Sequence, residues 1–142
     1  MKRILLIISF LILTTLMSYS QNLSIDGTWT LEKIEVTITT DGQDSKKTYT
    51  KKDQFKTPTI CVEKLEFAPE NNLSVLFRGW DKAESGSYII SGNTLTWNHP
   101  TAAYKFHIQY NNGVLEMLRE GEYAIDGKIS QYKYVHYLTK TR

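Results

Sequence analysis

Cysteine is almost missing from this chain: Cys61 is the only one among 142 residues, so no intramolecular disulfide can form. A lone thiol in an oxidising compartment is safest when buried, and the apolar setting of Thr59, Ile60, Cys61 and Val62 predicts an interior place for it. Excess charge is missing too. The 17 basic residues face 15 acidic ones, and Lys2 and Arg3 are the only charges in the first 20 positions, so residues 21–142 carry 15 of each. That balance removes the electrostatic footprint expected of a nucleic-acid binder or a membrane-surface binder. Helical periodicity is absent beyond the N-terminal segment, which excludes βαβ units and a parallel sheet. Catalytic signatures are lacking as well: there is no Gly-x-Ser-x-Gly elbow, no glycine-rich phosphate loop and no Cys-x-x-Cys pair. His99, His107 and His136 are widely spaced, and no cysteine joins them at metal-ligand spacing, so neither a metal nor a cofactor is expected.

What is present begins with an export layout. Lys2 and Arg3 precede an apolar run over residues 4–17, and Ser18, Tyr19 and Ser20 follow as a small-residue region. This predicts a secretory signal over residues 1–20 with cleavage after Ser20, a secreted or periplasmic mature protein, and no membrane span once the signal is gone. Residues 21–142 then form one domain with a single core.

Turn signals recur about every eight to twelve residues in that domain. Asp41-Gly42, Gly92-Asn93, Asn112-Gly113 and Asp126-Gly127 have hairpin chemistry, and Glu120-Gly121-Glu122 reads as a further turn. Between them run short alternating segments. The cleanest covers residues 103–110, with Tyr104, Phe106, Ile108 and Tyr110 on one face and Lys105, His107 and Gln109 on the other. In the first segment Trp29 and Leu31 share one parity while Ile34, Val36 and Ile38 share the other, so a bulge near Glu32 and Lys33 is needed to keep one inner face. The expected fold is all-β: an up-and-down antiparallel β-barrel of eight to ten strands, whose closure removes exposed edges.

Gly27, Thr28 and Trp29, opening a long bent first strand just after an export segment, resemble the lipocalin and lipocalin-like families of calycin-type barrels. In those families the Trp plugs the closed end and a basic residue of the last strand covers it. The resemblance implies that role for Trp29, with Lys140 as its cover ahead of Lys133 and Arg142. Gly86, Tyr88, Ile90, Asn93 and Leu95 are similar to a mid-barrel step of small exported bacterial lipocalin-like domains. A Thr-Asp-Tyr-type turn between late strands is missing, which sets the chain nearer to those than to the animal transporters.

Aromatic residues make up 12% of the sequence, with nine Tyr and three Trp, and they are the main functional signal. A cavity lined by Phe77, Tyr88, Trp97, Tyr104, Phe106 and Tyr134 suits a flat or amphipathic small molecule held by burial. His136 shares the inward parity and is a candidate polar hook, although a hydrogen-bonded structural histidine fits the same position. Tyr49 and Phe55 fall where a lysine-rich hairpin or lid would face the cavity. Two non-enzymatic readings stay open. One is an exported binding protein with a small apolar ligand in its barrel. The other is an adaptor or inhibitor with a filled barrel, which meets a protein partner through the loops over residues 46–55 and 81–86.

Overall fold

The computed structural model describes residues 25–53 and 61–142; the expected signal, its cleavage site and Phe55 lie outside them. Nine strands follow one another: β1 Gly27–Thr40, β2 Gln43–Thr50, β3 Val62–Ala68, β4 Asn72–Phe77, β5 Glu84–Ser91, β6 Thr94–His99, β7 Ala102–Asn111, β8 Val114–Ile125 and β9 Lys128–Lys140. All pairings are antiparallel, neighbours in sequence pair from β3 to β9, and β1 joins β9 to close an eight-stranded up-and-down barrel with β2 as an extra strand.

Turn chemistry sets the connections. Asp41-Gly42, Asn112-Gly113 and Asp126-Gly127 each place both residues at positive φ, the geometry whose twist matches a two-residue hairpin. Gly92 has φ 56 in its own two-residue loop. Glu120-Gly121-Glu122 is not a turn: the segment runs straight through β8, where Gly121 pairs with Tyr132. Two acids and a glycine have a turn composition, but the Tyr132 ring lies over Gly121, where any Cβ would collide with it. A cross-strand aromatic thereby supplies the packing that glycine lacks. Glu84, Ser85 and Gly86 likewise belong to β5 rather than to a loop.

The bulge in β1 divides the molecule in two. Register with β9 shifts between Leu31 and Lys33, so Trp29 and Leu31 on one side of it and Ile34 and Val36 on the other all point inward and are buried. Below the bulge β1 pairs with β3, the last pair being Thr30 with Lys64. Above it β1 exchanges that neighbour for β2, beginning with Lys33 and Thr50. The β7–β8 pairing stops at His107 and Leu118, whereas β8–β9 continues to Ile125 and Lys128. A four-stranded ribbon, in the order β2, β1, β9, β8, therefore continues above the point where β8 parts from β7, which itself runs on to Ala102 beside β6.

Candidate functional site

The lower end of the barrel is sealed as a unit. Trp29 is 1% exposed, its Nε1 donates to the Ile25 carbonyl at 2.7 Å, and Tyr110 meets it edge-on at 5.9 Å. Lys140 is its register partner and places Nζ 5.7 Å from the indole centroid. Gly27 makes room: at φ 102 it has no side chain, and a Cβ there would come within 3.1 Å of Lys140 Cε.

The residues expected to line a cavity lie in the core. Phe77, Tyr88, Trp97, Phe106, Tyr134 and His136 are all buried, and the five aromatic ones belong to one packed cluster with Trp29, Leu65, Leu95, Leu115 and Leu138. Tyr104 and Tyr49 are half-buried and pack against that cluster. Phe67 and Tyr88 meet edge-on at 5.1 Å, and Trp97 stacks on Tyr104 at 5.3 Å. Gly86 lets the wall close on them, since a Cβ there would strike the Asn98 carbonyl oxygen and come within 2.8 Å of Trp97 Nε1. That indole nitrogen is buried and has no acceptor among the described residues.

His136 is a polar stitch inside the core. Its Nδ1–H donates to the Met117 carbonyl at 3.2 Å and its Nε2 accepts from the Val62 N–H at 3.2 Å. Val62 opens β3 beyond the reach of β1, so the imidazole supplies the acceptor that a neighbouring strand would otherwise provide. Burial pushes the His136 pKa down to about 4, keeping the ring neutral, and pushes the buried Cys61 thiol up to about 12.

Aromatic rings continue upward onto the inner face of the ribbon. Tyr123, Tyr132 and Tyr134 stack at 6.2 and 4.9 Å, and Arg119 lies 5.4 Å from the Tyr104 ring and 6.0 Å from that of Tyr132. The guanidinium thus bridges β7 and the ribbon across the place where β7 and β8 separate. The alternation that places Leu115 and Met117 in the core carries on to Arg119, a signal the sequence contained but the assumed turn at residues 120–122 hid.

The ribbon's outer face holds a cleft of about 880 Å³. Thr37, Thr39 and Gln131 floor it, Lys46 and Thr48 of β2 form one bank, and Glu120 and Glu122 of β8 form the other. Its polar groups are partly tied to each other: Thr39 Oγ1 donates to Asp44 at 2.7 Å, Gln131 Nε2 to Glu122 at 3.2 Å, and Lys133 pairs with Glu120 at 3.6 Å. Outside that cleft, at the β6–β7 turn, His99 Nε2 lies 2.5 Å from Glu84 Oε2 while Thr101 Oγ1 contacts His99 Nδ1 at 2.8 Å. This has the order of a hydroxyl, base and acid, yet the Thr101 N–H itself turns to His99 and Pro100 has none, so the adjoining backbone offers no oxyanion donor. The three residues clamp the β6–β7 turn. Among the described residues no group of three His, Cys, Asp or Glu converges on a metal position.

Comparison with protein-family models, with curated proteins and with solved structures found no match.

Proposed function

We propose that the chain is an exported, non-enzymatic binding module that keeps its barrel for stability and meets a protein partner on the four-stranded ribbon. One observation carries this reading: the aromatic side chains suited to a cargo cavity are spent on the packed core, whereas the 880 Å³ cleft lies outside, on the ribbon. A binding surface needs area that is not already committed to the fold. The ribbon has it in the cleft between Lys46 and Glu120, in its aromatic inner face, and in two strand edges that have no neighbour among the described residues. Of the segments first expected to carry contact, residues 46–50 and 84–86 are strand, so the contact surface moves from loop ends to a sheet.

Photo-cross-linking in the native source tests the proposal. A cross-linker replacing Thr37, in the cleft, should capture a protein, and one replacing Thr96, on the outer wall of the barrel, should not. Equal capture at both positions would count against the ribbon. A small organic adduct that persists in native mass spectra, with no protein captured at Thr37, would return the barrel interior to first place.

A further inference from the structure

The closed barrel leaves one long strand edge open. Above His107 and Leu118 the β7–β8 pairing ends, so among the described residues, positions 119–125 of β8 pair with β9 alone, while β7 continues to Ala102 across the gap. Which backbone groups are left over follows from the hairpin. Ile125 and Lys128 flank the two-residue turn and exchange backbone hydrogen bonds, and alternation then directs the N–H and C=O of Tyr123, Gly121 and Arg119 to β9. Those of Glu120, Glu122 and Ala124 point away from it, into the gap beside β7. These three residues are exposed.

Among the described residues the ribbon's other edge, β2, is unpaired on its outer side as well, but it is protected. Lys46 and Lys47 lie in its middle and nearly every residue of β2 is solvated, the usual way of discouraging strand pairing. β8 has neither lysine nor proline in residues 119–125; its one cation there, Arg119, lies on the inner face against Tyr104 and Tyr132, and Lys133 of β9 reaches Glu120 at 3.6 Å from the opposite side. Instead Glu120 and Glu122 stand two positions apart on the outer face, on the bank of the cleft. On the inner face the tyrosine stack of Tyr123 and Tyr132 borders the same edge. An incoming strand would meet acid, then aromatic surface, then acid. Lys105 is exposed on the β7 side of the gap, so the acidic bank belongs to β8 alone.

Resting on the ribbon as the contact surface, we infer that the free edge of β8 is a strand-addition site for an extended peptide with lysine or arginine at alternate positions and apolar residues between them. Backbone bonds to Glu120, Glu122 and Ala124 supply affinity, and cross-strand pairing of the basic residues with the two glutamates sets register and selectivity.

An acetylated, amidated heptapeptide, Thr-Lys-Val-Lys-Thr-Lys-Val, is the probe, read by amide shifts and hydrogen exchange on the full mature chain. Protection should appear at the amides of Glu120, Glu122 and Ala124, and the peptide with Glu in place of Lys should bind at least tenfold more weakly. Glu120→Lys with Glu122→Lys should invert that preference. Glu122→Pro removes an N–H that the free protein does not bond internally, so binding should be lost while the melting temperature stays near the parent's. Should that variant unfold, a peptide N-methylated at alternate residues makes the same test on unaltered protein, and its binding as well as the parent peptide would overturn strand addition. Protection confined to β2, equal affinity for both charges, or self-association that Glu122→Pro abolishes would each overturn the proposal, the last by making a second copy the occupant. If cross-linking at Thr37 succeeds while β8 amides stay unprotected, strand addition fails and the ribbon reading survives; if both fail, so does the reading beneath it.

Discussion

The barrel and the ribbon share strands β1, β8 and β9 yet have opposite characters. Below the bulge at Glu32 β1 has barrel strands on both sides, and the core built there extends past the bulge as far as Ile34, Val36 and Tyr134. Above it the same strands run on with two free edges, a polar outer cleft and a tyrosine stack on the inner face. Continuity of backbone therefore does not imply continuity of purpose. The lower part packs its aromatics into the core cluster, and the upper part is held by what the lower part anchors.

The largest effect that would break this contrast is at the sealed end. Trp29→Ala should cost ~3–5 kcal/mol, as a fully buried large side chain truncated in a packed core, measured by denaturant unfolding. Tyr123→Ala, in the ribbon's half-exposed stack, should cost about 1 kcal/mol. Comparable losses at the two sites would mean that the ribbon is as much a part of the core as the barrel.

The His136 stitch comes next and carries a pH signature. Its pKa is lowered in the fold from an ordinary 6.5 to about 4, so the unfolded chain takes up the proton first. The contribution of the neutral ring is intact above pH 6.5 and is lost as pH falls from there through about 4, amounting to ~3 kcal/mol. Protonation also sets an Nε2–H against the Val62 N–H it had accepted. His136→Gln should be less stable at pH 7 but should lose less stability than the parent between pH 7 and 4.5. Parallel pH profiles of unfolding midpoint for the two proteins would refute the assignment.

Two glycines sharpen the comparison further. Gly86 in the barrel wall faces backbone, the Asn98 carbonyl, and the immobile Trp97, so Gly86→Ala should cost ~1–3 kcal/mol by overpacking. Gly121 in the ribbon faces only the phenol end of Tyr132, which can swing away, and Gly121→Ala should cost under about 1 kcal/mol. Thermal melts rank them, and the reverse order would contradict the filled wall.

Much of the barrel was legible because strand alternation and turn dipeptides are local. The parity change between Leu31 and Ile34 demanded a bulge, and Asn112-Gly113 demanded a hairpin. The ribbon was not legible, because strand length beyond a neighbour's end is a property of pairing. Nothing local in Glu120-Gly121-Glu122 says that Tyr132, eleven positions on, will cover the glycine or that β8 will run on beyond its pairing with β7. The aromatic load also reads alike whether rings line a space or fill one. The contact of Trp97 with Tyr104 on the neighbouring strand likewise follows from strand pairing rather than from anything local in the sequence.

The smallest expected effect lies on the ribbon's outer face near the bulge. Lys33 Nζ bonds Glu35 at 2.7 Å and sits 4.1 Å from the Tyr137 ring, whose hydroxyl donates to the same carboxylate at 3.1 Å. The hydrogen bond from Lys33 is the main cause holding the Glu35 carboxyl below its ordinary value and raising the Lys33 amine. Both side chains are about two-fifths exposed, so solvent screens most of that interaction. Lys33→Met should therefore cost only ~0.5 kcal/mol or less, and the difference from the parent should shrink in 0.5 M salt, roughly where the Debye length falls to about 4 Å. The Glu35 share disappears as pH falls through the lowered carboxyl pKa, whereas the Lys33 share persists until pH rises through the raised amine pKa. A salt-insensitive loss of ~2 kcal/mol or more in Lys33→Met would show that the lysine stem packs as core, and the boundary between barrel and ribbon would then sit one turn of the ladder higher than the bulge places it.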